Sequence, residues 1–381
     1  MTRTNPQTAS TAARRARGCL FPLILIFVAS VLANCARPPE LIGVENAAIP
    51  ALSVPDLEHH RIFIASTRQA SEVTGAFYSG GRAPDLSLAS VDVTVPPNHV
   101  TGQLERPRHL PPDPRIEFSV INPVLFRTRA SFMTEINHAL AARPPGHRKV
   151  LLFIHGYNTS TSDAILRLTQ FIEDTGYEGV PVLFTWASAA KAPRYVYDLN
   201  SALIARIRLK DMSDILGATD AEGIDIFAHS MGTFLAMEGL VDAAQAHRLG
   251  DRKRIDHIVL AAPDIDIDLF RTQIALLPRP ILEKMYILIS KDDSALRLSR
   301  RIAGGVPRVG AADAKALETL GPTVVDLSDI TDSGSGNHTK FAGSPEVVRL
   351  IGAGLNTVGR FGDVPGLDQF LTGLPIRIFG E

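Results

Sequence analysis

A serine lying between a strand-like run and a helix-like run constrains this chain more than any other stretch. Ile224, Ile226 and Phe227 favour β structure, whereas Phe234, Leu235, Met237 and Leu240 recur at helical spacing. Between them lies Ala228-His229-Ser230-Met231-Gly232, a small-x-Ser-x-small pattern. A strand that turns into a helix over so few residues strains the backbone at the serine. Small residues two positions before and after it let strand and helix pass each other. Such a turn lifts the Ser230 hydroxyl above a sheet and leaves the Met231 amide pointing out of a helix N-terminus. The pattern predicts a nucleophile elbow, with Ala228 where glycine is usual. The competing reading is a serine that only caps its helix.

The surrounding rhythm favours a sheet. From Lys149 onward, apolar strands (Val150–Ile154, Val180–Trp186, Ile255–Ala262, Met285–Ser290) alternate with helical segments. The helices are expected from Ser162, over Ser201–Leu216, from the elbow to Ala246, and from Ser344 into Leu350. That alternation predicts an α/β fold, a mostly parallel sheet with helices on both faces. Upstream, His60–Ala65, Leu86–Val95 and Phe118–Ile121 read as strands and Ala130–Ala142 as a helix. The expected organisation is an N-terminal β-containing extension over 59–148, a core over 149–351 and a glycine-rich tail over 352–381.

The first residues carry a separate message. Arg14, Arg15 and Arg17 precede an uncharged apolar run from Gly18 to Ala36, the form of an export signal. Leu32-Ala33-Asn34-Cys35 resembles a lipoprotein cleavage box, with Cys35 the candidate lipidation site and Asn34 departing from the small residue such boxes prefer. An uncleaved membrane anchor is the alternative, because the run is long enough to span a bilayer. Residues 1–35 are therefore read as signal and 36–58 as a Pro- and Ala-rich tether. The expected location is the cell envelope, with membrane attachment through the N-terminal lipid or anchor. The rest of the 381 residues, 45% hydrophobic and 21% charged, suits a globular domain. A formal net charge of -1 gives no electrostatic case for nucleic acid.

An elbow serine needs a base, an acid to orient it and a second oxyanion donor. In doubly wound hydrolases the acid and then the histidine follow the serine. Of 11 histidines only His247, His257 and His338 come after Ser230. His247 ends the elbow helix and His257 starts a strand, both away from the active rim. His338 lies in the polar, Gly-rich Asp332–Thr339 loop, where a base is required. Asp293 and Asp264 each follow a strand at its C-terminal end. Asp293 is preferred, with Asp264 and the adjacent Asp292 as alternatives. The second donor is expected in His155-Gly156-Tyr157-Asn158, with Gly156 allowing close approach and Tyr157 supplying the amide beside that of Met231. No histidine–cysteine cluster has metal-ligand spacing and no Gly-rich phosphate loop follows a strand, so no metal or cofactor is expected.

Phe153 to Asn158, Phe184 to Ser188, Tyr197-Asp198, Ala228 to Gly232, Ala262 to Asp266, Asp293 and His338 together resemble a bacterial α/β-hydrolase family of unknown function (domain of unknown function 900). The resemblance runs from Arg61 to Leu350. It implies an α/β-hydrolase fold and serine-hydrolase activity on a small-molecule or lipid ester, without fixing a substrate. Its members often carry lipoprotein-like signals. Two readings compete: a binding lipoprotein that keeps only the fold, and a peptidase or acyltransferase with the same triad. Substrate preference is expected from 187–198, 267–280 and 296–322. The second of these is apolar, through Leu269, Phe270, Ile274, Leu276 and Leu277, as a lid or as core packing would be.

Overall fold

Continuous apolar runs become strands buried on both faces. The central one, β4 (Lys149–Ile154), has no exposed residue, as parallel strands covered by helices require. The computed structural model describes residues 40, 42–73, 75–249, 255–332, 336–357 and 372–380. The expected signal, Cys35 and much of the tether and tail lie outside the described residues. What is described belongs to one unit, Glu40–Glu381.

In chain order the strands are β1 (Glu58–Ala70), β2 (Tyr78–Val95), β3 (Ser119–Phe126), β4, β5 (Val180–Thr185), β6 (Gly223–His229), β7 (Ile255–Ala261), β8 (Met285–Ile289), β9 (Thr323–Asp326) and β10 (Arg377–Phe379). They form one sheet in the order β10-β9-β8-β7-β6-β4-β5-β1-β2-β3. From β9 to β1 every pairing is parallel. Antiparallel strands close both edges. Thus β1 to β3 extend the same sheet, with Phe63 opposite Val182, and form no layer of their own.

The helices are α1 (Arg129–Ala141), α2 (Thr161–Thr175), α3 (Tyr195–Gly217), α4 (Met231–Gln245), α5 (Ile267–Ile274), α6 (Arg279–Leu282), α7 (Ser294–Ile302), α8 (Ala314–Glu318), α9 (Lys340–Gly343) and α10 (Pro345–Asn356). Local chemistry sets their limits. Ser160 and Asp163 form a capping box at the start of α2, and Gly176 ends it at φ 59°. Helix α3 begins at Tyr195, earlier than its apolar spacing predicts, just after Pro193 in a short 3-10 turn. One core lies under α1, α3, α4 and α5, and a second lies under α2, α9 and α10. The second is built on stacked rings, with Phe153 and Phe227 5.5 Å apart at 2°. In the apolar 267–280 segment Phe270, Ile274 and Leu277 are buried, so it is chiefly core packing.

From β4 the chain passes to β5 on one side and then to β6 on the other. The strand order reverses at β4, which opens a crevice at the carboxyl ends of β4 and β6.

Candidate active site

Register places the two halves of the site together. Ile154 of β4 pairs with Ala228 of β6, so Gly156 and Ser230 each lie two residues beyond a matched pair. The backbones are so close there that a Cβ on Gly156 would stand 2.7 Å from the Ser230 Cβ. Gly232 is fixed in the same way, since a Cβ on it would meet the His155 carbonyl oxygen at 2.4 Å. Ala228 is fully buried in its strand and is accommodated.

Ser230 stands at φ 53° and ψ -126°, left-handed for a residue with a Cβ. Strain of this kind costs on the order of 1–3 kcal/mol and persists only where the surroundings impose it. Here the Ser230 amide donates to the Ala261 carbonyl at 2.9 Å, and its own carbonyl accepts from Thr233 and Asp264. Among the described residues neither the Met231 amide, at the head of α4, nor the Tyr157 amide has an acceptor. Two free donors beside a strained serine form a site for a developing negative charge.

The Tyr157 loop is locked from beneath. His155 is buried, and its Nδ1 donates to the Gly156 carbonyl at 2.8 Å. Its Nε2 accepts from the Trp186 amide and from Arg68 Nη2, each at 3.2 Å. Burial and the Arg68 charge depress its pKa to about 3, so it is neutral. Arg68 is buried too, and reaches the carbonyls of Thr159 and Ser188. Asp198 takes the Asn158 and Ala189 amides on its two oxygens. Nothing in the local sequence marks Arg68. Asp198 stood out only through the family resemblance.

His338 Nδ1 meets Asp293 Oδ2 at 2.7 Å, and Asp293 is fully buried. The other oxygen of Asp293 accepts the Leu296 amide, so the same carboxylate caps α7. The ring of His229, the residue before the serine, lies 4.8 Å from that of His338, and His229 Nε2 donates to the His338 carbonyl at 3.1 Å. Burial, with the His338 charge second, holds His229 well below an ordinary imidazole pKa. A neutral donor therefore ties His338 and the elbow together, a role the sequence did not suggest.

The other two candidate aspartates have partners of their own. Asp292 accepts from Asn337 at 2.8 Å and Lys340 at 2.7 Å, so it fixes the loop bearing His338. Asp264 accepts the Tyr195 hydroxyl at 3.0 Å and that of Ser299, and pairs with Arg308 at 3.3 Å. Neither touches the His338 ring among the contacts of the described residues. Two rejected histidines lie elsewhere: His247 follows α4, exposed, and His257 is buried on β7 against Asp225. No group of three or more His, Cys, Asp or Glu side chains among the described residues is placed to hold a metal. No helix among them is long and apolar enough to cross a membrane.

A parallel sheet flanked by helices, with a strained serine between strand and helix at its carboxyl edge, defines an α/β hydrolase. The family model described as an alpha/beta hydrolase of unknown function (DUF900) matches residues 128–354, more than half of the sequence, and the chain belongs to that family. The match starts after β1 to β3, later than the Arg61 from which the resemblance runs. Among solved structures the chain is similar to a fungal esterase from Rhizomucor miehei, at 12% identity and a TM-score of 0.34, over 80% of this chain and 84% of that one. It is also similar to an esterase from Pyrobaculum calidifontis, at 14% identity and a TM-score of 0.33, over 80% and 86%. No curated protein matches the sequence.

Proposed function

We propose that the protein is a serine esterase working through an acyl-enzyme. The observation that carries this is the Ser230 backbone, held in a left-handed conformation beside two amides that have no acceptor among the described residues. His338, oriented by Asp293, takes the Ser230 proton as Oγ attacks the ester carbonyl. The Met231 and Tyr157 amides hold the oxyanion. His338 then gives its proton to the leaving alcohol, and water repeats the sequence on the acyl-enzyme. Asp264 and Asp292 serve as structural anchors in this scheme. The chemistry assigns no role to a cofactor.

A fluorophosphonate probe tests it, because only an activated serine is labelled. Wild type is expected to label and Ser230→Ala to stay unlabelled with an unchanged circular dichroism spectrum. Labelling that survives the substitution overturns the assignment of Ser230, and a wild type that stays unlabelled leaves the binding-protein reading. A substrate panel separates esterase from peptidase or acyltransferase.

The location proposed is the cell envelope, with a lipid on Cys35. The near-lipobox after an apolar run supports it. Palmitate incorporation is expected in wild type and absent in Cys35→Ala. Membrane retention without label points instead to an uncleaved anchor.

A further inference from the structure

Helix α7 has two faces of different character. Leu296 and Ser299 are buried, and Ser299 meets Tyr195 and Asp264. The opposite face exposes Leu298 at 57% and Ile302 at 51%, one helical turn apart, among exposed Arg297, Arg300 and Arg301. Arg300 is held by the Gly305 carbonyl, while Arg297 and Arg301 meet no carboxylate among the described residues. Exposed apolar side chains are common singly, but here two lie one turn apart among cations, and a basic, apolar-tipped helix is the composition that lies on anionic lipid.

The helix is also part of the site's rim. Its first turn is capped by Asp293, which holds His338, and the Ser294 amide donates to Gly336 of the His338 loop at 2.9 Å. Its middle touches Tyr195, at 3.0 Å from Ser299, and the Tyr195 ring packs edge-on against Tyr157 at 5.3 Å. Helix α7 thus runs from the acid toward the second oxyanion residue. Val196, one residue beyond Tyr195 and 63% exposed, flanks the same junction.

We propose that α7, with Val196 beside it, docks on an anionic lipid surface and so presents the Ser230 rim to ester lipids in that surface. This rests on the esterase reading. Arg297 and Arg301 supply the attraction to lipid phosphate, and Leu298 and Ile302 supply the insertion.

The sequence has one tryptophan, and Trp186 is fully buried, which permits a local test. Leu298→Trp, and separately Ile302→Trp as a second reporter, are placed in the full chain carrying Ser230→Ala. Vesicles of brominated phosphatidylglycerol mixed with phosphatidylcholine are expected to quench and blue-shift the new emission, with far less effect on Trp186 alone. Adding Arg297→Glu and Arg301→Glu is expected to raise the lipid needed by at least about thirtyfold, the loss of two surface cations alone, with the two added carboxylates acting in the same direction. Pure phosphatidylcholine, brominated to the same extent, is expected to quench as weakly as the charge-reversed chain does in the mixed vesicles. Emission that both reporters leave unmoved overturns the proposal and gives the face to a protein partner. So does quenching that neither charge reversal nor lipid charge alters. Because Ser230→Ala cannot turn over ester, docking is scored apart from catalysis. A wild type that hydrolyses a soluble ester without docking loses this inference alone, and one that docks without hydrolysis loses the esterase reading.

Discussion

Two aspartate–histidine pairs sit at opposite ends of this sheet, each with Nδ1 2.7 Å from a carboxylate oxygen. Asp293 and His338 lie at the carboxyl ends of the strands, and Asp225 and His257 lie near the amino ends of β6 and β7. The surroundings differ completely. Asp225 spends its second oxygen on the Tyr177 hydroxyl at 2.9 Å, and all three residues are buried. Burial, reinforced by Asp225, raises the Tyr177 phenol far above its usual range. The His338 ring, by contrast, is partly exposed and lies against the elbow. An imidazole–carboxylate pair is therefore common structural currency. What distinguishes the rim is a strained serine and open amides next to the pair, supplied by the reversal of strand order at β4.

Substitution should break the comparison in a graded way. The largest effect is expected at Ser230→Ala, with ester turnover down by at least about 10⁴-fold and no loss of melting temperature. Asp293→Asn comes next, at roughly 10³–10⁴-fold in turnover, since the imidazole loses its tautomer and charge partner. Asparagine caps a helix as well as aspartate does, so α7 should survive and melting should barely move. Comparable turnover and early melting would show that Asp293 is only a cap.

Asp225→Asn should do the reverse at the other pair. Leaving a buried partner unsatisfied costs about 1–3 kcal/mol, so melting falls while turnover per folded molecule holds. Asp264→Asn is expected to behave likewise, through loss of the charge facing Arg308, and to keep a substantial fraction of turnover. If Asp264→Asn instead loses turnover without melting early, the acid follows β7 and the scheme must be redrawn. The smallest effect concerns a third imidazole, His99. Burial opposes its charge, but hydrogen bonds to Asp174 and Glu105 outweigh it and raise its pKa from 6.5 to about 9. A raised pKa stabilises fully below the unfolded value, so stability is expected to fall as pH climbs from about 6.5 through about 9. His99→Gln should flatten that limb in urea titrations, and an unchanged slope would assign it to other groups.

The elbow was legible because two periodicities meet at Ser230 and because Gly232 and Gly156 leave a compositional trace. The central strands were legible because each is an apolar run. Strand β9, of four residues, and β10, of three, carry no such run and exist through pairing, Val325 opposite Ile378. The acid was ambiguous for a physical reason. Asp264 and Asp293 both follow strands and both are buried, and they are told apart by their distant partners, His338 on Asp293 and Tyr195 with Ser299 on Asp264. Arg68 and His229 were invisible because their work is done by partners distant in sequence or by a ring contact.

The neighbouring aspartates have a consequence for how this sequence can drift. Asp292 grips the loop through Asn337 and Lys340, and Asp293 grips the imidazole in that same loop. Two adjacent positions thus read two adjacent features of one distant segment. Deleting or inserting one residue between Ser290 and Ser294 would hand the ring the wrong carboxylate and strip the helix of its cap together. Descendants of this chain are expected to tolerate length changes in the turn after α7, around Gly304 and Gly305, far more readily than in those few residues.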